Sequence, residues 1–84
     1  MEFYLLALRS LTYAQRGREV LAGAGIRAGI VKTPAVVSPK GCSHSLKLKS
    51  RDAQRGVQVL RSEGVKIEKI FAATAAGNFL EVTL

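Results

Sequence analysis

Eighty-four residues, 48% of them hydrophobic and 23% charged, make one small globular domain, residues 1–84, and exclude a disordered or collagen-like chain. Thirteen Lys and Arg against six Asp and Glu give a net charge of +7. No uncharged stretch approaches the ~20 residues of a membrane span, and Glu2 and Arg9 interrupt the first segment in a way that a signal peptide does not. A single cysteine, Cys42, excludes an intramolecular disulfide and any multi-cysteine metal site, and the cytoplasm is the expected compartment.

Glu2 to Arg9 is a short apolar run bounded by polar residues, which predicts a central strand. Ser10 and Thr12 offer cap oxygens for a following helix, in which Ala14, Gly17, Val20, Leu21 and Ala24 recur at three- and four-residue spacing. Gly25 is placed to end that helix in a left-handed conformation, and Ile26 to Lys32 follows as a second strand. Pro34 and Pro39 then break the chain into a loop that reaches Gly41. Strand three starts near Cys42 and alternates. Cys42, His44, Leu46 and Leu48 share one face, and Ser43, Ser45, Lys47 and Lys49 the other. Ser50 is the expected cap of a second helix, with Asp52 in its first turn and Ala53, Val57 and Leu60 as its inner stripe. Gly64 closes that helix, Val65 to Phe71 makes strand four, and the Gly77-Asn78 turn leads to an added edge strand within Phe79 to Leu84.

The chain contains an internal repeat. Ala14-Gln15-Arg16-Gly17 recurs as Ala53-Gln54-Arg55-Gly56, Val20-Leu21 as Val59-Leu60, and Gly25-Ile26 is matched by Gly64-Val65. Duplication of a βαβ unit predicts an α+β fold of ferredoxin-like type, βαββαβ, with one antiparallel sheet and both helices on one face. Gly17 and Gly56, at equivalent points of the two helices, allow close approach of helix backbone to a neighbour.

In that fold strand three lies between strands one and two, so Cys42 falls beside the end of strand one, near the Ser10 to Thr12 turn. A thiol there meets the partial positive charge of a helix N-terminus, and Arg9 and Lys40 act in the same direction. The thiolate is the nucleophile, suited to attack on a sulfur or selenium donor. The alternative is that Cys42 is a small buried hydrophobe, a common fate of free cysteine.

Thr33-Pro34, Ser38, Gly41-Cys42-Ser43 and Leu46-Lys47-Leu48 together resemble the motif of the selenium/sulfur carrier protein-like family, small bacterial and archaeal proteins. The similarity runs from the first strand to about Phe71, through helices ending in Ala-Gly-Ile and Glu-Gly-Val. It implies a ferredoxin-like domain that handles sulfur or selenium, with Cys42 as the matching cysteine. Two positions depart from the family pattern. Ser43 stands where a second glycine is usual, limiting a partner's approach to the sulfur, and His44 stands where an aliphatic residue is usual. His44 shares the face of Cys42 about 6.5–7 Å along the strand, either as a partly buried, hydrogen-bonded histidine or as a base for the thiol.

The expected function is therefore a carrier of persulfide or selenosulfide on Cys42, assisted by Arg9 and Lys40, more a carrier than a catalyst with turnover. Gly41, Ser43, His44, Lys47 and Lys49 are the expected contacts with donor and acceptor proteins. No cofactor is expected. Cys42 and His44 alone cannot build a zinc site, and Gly23-Ala24-Gly25 ends a helix where a phosphate loop would open one. No paired carboxylates support hydrolysis. A second class of function comes from charge. Seven basic residues and one acid lie between Arg27 and Arg55, with Lys47 and Lys49 on the open sheet face, which fits a binding module for nucleic acid or an acidic protein. Strand three offers that face serines and no aromatic residue for stacking, and strand one only Phe3 or Tyr4, so this reading stands second. The apolar tail, Phe79, Leu80, Val82 and Leu84, predicts either pairing on strand four or, preferred here, a homodimer.

Overall fold

The two helices start at the offset of the sequence repeat and have equal length. In the computed structural model, which describes residues 3–34 and 43–84, α1 is Leu11–Gly23 and α2 is Ser50–Ser62. Around them lie β1 (Phe3–Leu8), β2 (Gly29–Lys32), β3 (His44–Lys49), β4 (Lys69–Ala73) and β5 (Phe79–Glu81). One sheet holds all five strands in the order β2-β3-β1-β4-β5, with every neighbouring pair antiparallel. This is the ferredoxin-like α+β arrangement, extended by one strand.

Ser10 is the cap of α1, its hydroxyl accepting from the Tyr13 amide at 3.3 Å; Thr12 lies inside the helix. Both helices end in the same way. At α1 the Gly25 amide bonds to the Ala22 carbonyl and the Ile26 amide to the Leu21 carbonyl, with Gly25 at φ +78°. At α2 the Gly64 amide bonds to Arg61 and the Val65 amide to Leu60, with Gly64 at φ +76°. These are paired Schellman motifs, and each places an apolar residue directly after the glycine back against the core. Ile26 and Val65 are accordingly 2% and 3% exposed. That role corrects two strand boundaries. Ile26 and Val65 are apolar because they close helices, and β2 and β4 begin only at Gly29 and Lys69. A third correction concerns Ser50. Strand β3 runs directly into α2, so Lys49 occupies the cap position without a side-chain cap bond and Ser50 is the first helical residue. Asp52 does lie in the first turn. α1 has no basic residue in its last turn, and Arg55 of α2 supplies the cation instead, donating to the Ala24 carbonyl at 2.8 Å.

The main core fills the space between helices and sheet. Leu6, Leu8, Leu46, Leu48 and Ile70 meet Ala14, Leu21, Val57 and Leu60 there. On the other face of the sheet a second cluster forms from Leu5, Ala7 and Phe71, with Phe3, Val31 and Phe79 partly buried around it. Strand β5 covers the outer edge of β4 within the same chain, with Ala72 opposite Leu80 and Ala73 opposite Phe79. The turn before it is set by Gly77 at φ +85°, the Thr74 amide bonded to the Asn78 carbonyl, and the Asn78 amide bonded to the Thr74 hydroxyl. Val82 continues the pairing through its amide to the Ile70 carbonyl. The intrachain alternative for the tail is the one adopted.

Candidate functional site

The register sets Leu8 at the end of β1 opposite His44 at the start of β3, and Lys32 at the end of β2 opposite the same histidine. The N-terminus of α1 begins shortly after β1. One end of the molecule thus gathers Arg9, Ser10, Ser43 and His44. Ser43 is the link. Its hydroxyl donates a long 3.5 Å hydrogen bond to the Arg9 carbonyl and lies 3.0 Å from His44 Nδ1. A serine hydroxyl has one proton to give. That proton can go to the Arg9 carbonyl, with Nδ1–H then donating to Ser43, or to Nδ1 itself, and the histidine tautomer follows that choice. His44 is half-buried, in agreement with a partly buried, hydrogen-bonded side chain. Arg9 is exposed.

The chain segments on either side of residues 35–42 are joined by hydrogen bonds. The Thr33 amide donates to the Ser43 carbonyl at 3.1 Å. One step along, the Thr33 and Ser45 hydroxyls are hydrogen-bonded to each other at 2.7 Å, either one able to donate. Ser45 is fully buried and Thr33 is 6% exposed, so Ser45 is not the open polar position that strand alternation suggests. A hydroxyl that meets another hydroxyl can be buried without a lost hydrogen bond. Cys42, Gly41 and Lys40 lie outside the described residues, as does the expected position of Cys42 near the Ser10 to Thr12 turn.

The remaining expected contacts lie elsewhere. Lys47 and Lys49 are exposed on the sheet face away from the helices, toward the far end of β3 from Ser43. Lys47 extends its ammonium over the Phe3 ring, 4.4 Å from the centroid. The two sets of residues therefore belong to opposite ends of one strand. Among the described residues no group of three His, Cys, Asp or Glu side chains is placed to hold a metal ion, and no helix is long and apolar enough to cross a membrane.

Comparison with protein families adds one match. Residues 3–72 fit the family described as Putative Se/S carrier protein-like. The chain belongs to this family. The matched region of this Se/S carrier-like protein begins with β1, takes in residues 35–42 with the cysteine, and ends inside β4, so β5 lies beyond it. No curated protein and no solved structure matches the chain. The family ties the protein to sulfur or selenium carriage, hence to proteins that handle these elements.

Proposed function

We propose that the protein is a cytoplasmic carrier that holds sulfur or selenium on Cys42, as a persulfide or selenosulfide, between a donor and an acceptor protein. The observation that carries this reading is that the chain's one cysteine falls inside the region matched to the carrier family. Its neighbour Ser43 adds support, because its hydroxyl is bonded at the Arg9 carbonyl, beside the N-terminus of α1. A helix N-terminus favours a thiolate over a thiol, and Arg9 adds a positive charge at the same end of the molecule. Lys40, two residues before the cysteine, adds charge of the same sign, and Gly41 has no side chain to obstruct a partner.

The transfer balances without an oxidant. The Cys42 thiolate attacks the outer sulfur of a donor persulfide; the donor's S–S bond breaks as the new one forms, and the donor leaves as a thiolate. Delivery is the same displacement with the acceptor's nucleophile attacking the carried atom. A selenosulfide donor follows the same course with selenium in the outer position. The chain holds no second cysteine to release the atom, so both steps are intermolecular. That makes the protein a carrier, with no reaction completed on it alone.

Ser43 and His44, the two departures from the family pattern, hydrogen-bond to each other. In this chain the pair sets an imidazole beside the carrier cysteine in sequence, and replaces a glycine's open approach with a hydroxyl. A homodimer is part of the same reading. Among the described residues strand β5 is the last of the sheet, and Leu80 on it is 50% exposed, so two copies meeting at this edge would extend the sheet. The experiment is intact-mass measurement after incubation with a cysteine desulfurase and its substrate. The wild type is expected to gain the mass of one sulfur, reversed by a thiol reductant, while Cys42→Ser gains none. An unmodified wild type, under conditions that load a known carrier, overturns the proposal.

A further inference from the structure

Phe3, Arg27, Gly29, Lys47, Leu48 and Lys49 line a shallow groove of about 460 Å³ at the end of the sheet remote from Ser43. Three cations and one aromatic ring meet there, on three different strands or their flanks. Arg27, Lys47 and Lys49 are all exposed, and among the described residues none of them is in a salt bridge. The two ion pairs observed are Lys66–Glu68 and Lys69–Glu81, at 4.0 and 3.1 Å. By strand register Glu81 is the one acidic residue on this sheet face among those described, and it is bonded to Lys69. Gly29 sits opposite Lys47 in the register and a side chain there would meet nothing, which keeps the groove open between Arg27 and the lysines. Phe3 is half-buried and braced edge-on by Phe79, with centroids 6.4 Å apart and planes at 70°.

From this arrangement we propose that the groove binds single-stranded nucleic acid, with a base stacked on Phe3 and the flanking phosphates held by Arg27, Lys47 and Lys49. A basic track beside an aromatic platform is the physical requirement for sequence-tolerant binding of a single strand. The Lys47 ammonium now over Phe3 marks the ring face that a base would take, and displacement frees that ammonium for a phosphate. An acidic protein segment would satisfy the cations equally and has no use for the ring; the aromatic residue decides between the two. Strand β3 has no stacking residue, as its sequence shows, yet β1 supplies Phe3 next to the β3 lysines, and Tyr4, the other aromatic of β1, packs against the main core. The site is independent of Cys42 and stands or falls apart from the carrier function.

The experiment uses a fluorescein-labelled oligouridylate of about ten nucleotides, within the usual site size, titrated at low salt and followed by anisotropy. Lys47→Glu with Lys49→Glu is expected to weaken binding at least tenfold and to flatten the log-affinity against log-salt slope by about 1.4, two single-strand phosphate contacts. Arg16→Glu with Arg18→Glu changes net charge equally on the exposed surface of α1 and is expected to weaken binding less than threefold. The chain has no tryptophan, so Phe3→Trp introduces a single reporter whose fluorescence should be quenched by the oligonucleotide and left unquenched by poly-glutamate. Three results overturn the proposal: no binding at low salt, equal loss from the α1 reversals, or unquenched indole fluorescence in the Phe3→Trp variant with oligonucleotide bound.

Discussion

Gly56 faces Leu48 so closely that a β-carbon at residue 56 would lie 2.6 Å from Leu48 Cδ2. The repeat reproduces the contact in the other half, where a β-carbon on Gly17 would lie 2.8 Å from Leu46 Cδ1. Both helices therefore rest their backbones on leucines of the same strand, β3, and the glycines set how closely the helix layer approaches the sheet. Leu48 and Leu46 are 1% and 0% exposed, so a β-carbon on either glycine requires a buried leucine to shift within the core. Overpacking a filled core costs about 1–3 kcal/mol, against a helix-propensity gain of about 1 kcal/mol for Ala over Gly.

Gly56→Ala is therefore expected to destabilise the protein by up to about 2 kcal/mol, lowering the melting temperature by roughly 4–8 °C per kcal/mol in a domain this small. Gly23→Ala is the contrast, since a side chain there would meet nothing within 4 Å. It should stabilise by about 0.5–1 kcal/mol. Thermal melts of both variants check the pair; a stabilised Gly56→Ala would mean that the helix does not rest on Leu48.

The repeat makes much of this legible. Identical Ala-Gln-Arg-Gly segments and matching end glycines fix where both helices lie and why both stop, and with two helices on one face the strand order follows. The strand starts are less legible because an apolar residue after a helix-ending glycine serves the helix, as Ile26 and Val65 do, and looks like the first residue of a strand. Ser45 escapes the pattern for a related reason. Strand alternation assigns a face, but whether a serine on that face meets water or another hydroxyl depends on Thr33, which comes from the end of β2, twelve residues earlier. The Phe3 groove depends on three chain segments meeting, and no local pattern announces it.

The Thr33–Ser45 pair predicts a non-additive mutant cycle. Thr33→Val or Ser45→Ala alone leaves one buried hydroxyl without its partner, at a cost of about 1–3 kcal/mol. The double variant removes both polar groups and should cost less than the sum of the singles. Urea denaturation of the four proteins measures the coupling, and additivity would contradict the hydrogen bond.

Removing β5 by truncation after Ala76 exposes the edge of β4 and deletes the Val82–Ile70 bond and the Arg61 contact to the Leu84 carbonyl. The urea midpoint should fall markedly, and sedimentation should show loss of the dimer proposed at the outer edge of β5. A truncated protein as stable as the full chain would contradict the intrachain pairing, and a full-length protein that sediments as a monomer at high micromolar concentration would contradict the dimer.

Ser43→Gly introduces the second glycine that the resemblance implies at this position and removes the hydroxyl that links Arg9 to His44. It should speed persulfide transfer to Cys42 several-fold by easing the donor's approach, in single-turnover loading followed by mass. A slower variant would show instead that the Ser43 hydroxyl assists the transfer.

The carrier function requires that Cys42 both accept and give up the atom. The direct measurement follows labelled sulfur from a desulfurase onto the protein and then, after removal of the enzyme, onto an added acceptor thiol. One label per chain on the wild type, none on Cys42→Ser, and stoichiometric passage to the acceptor is the expected result. Label that never reaches the wild type, or that attaches equally to Cys42→Ser, would contradict the carrier function.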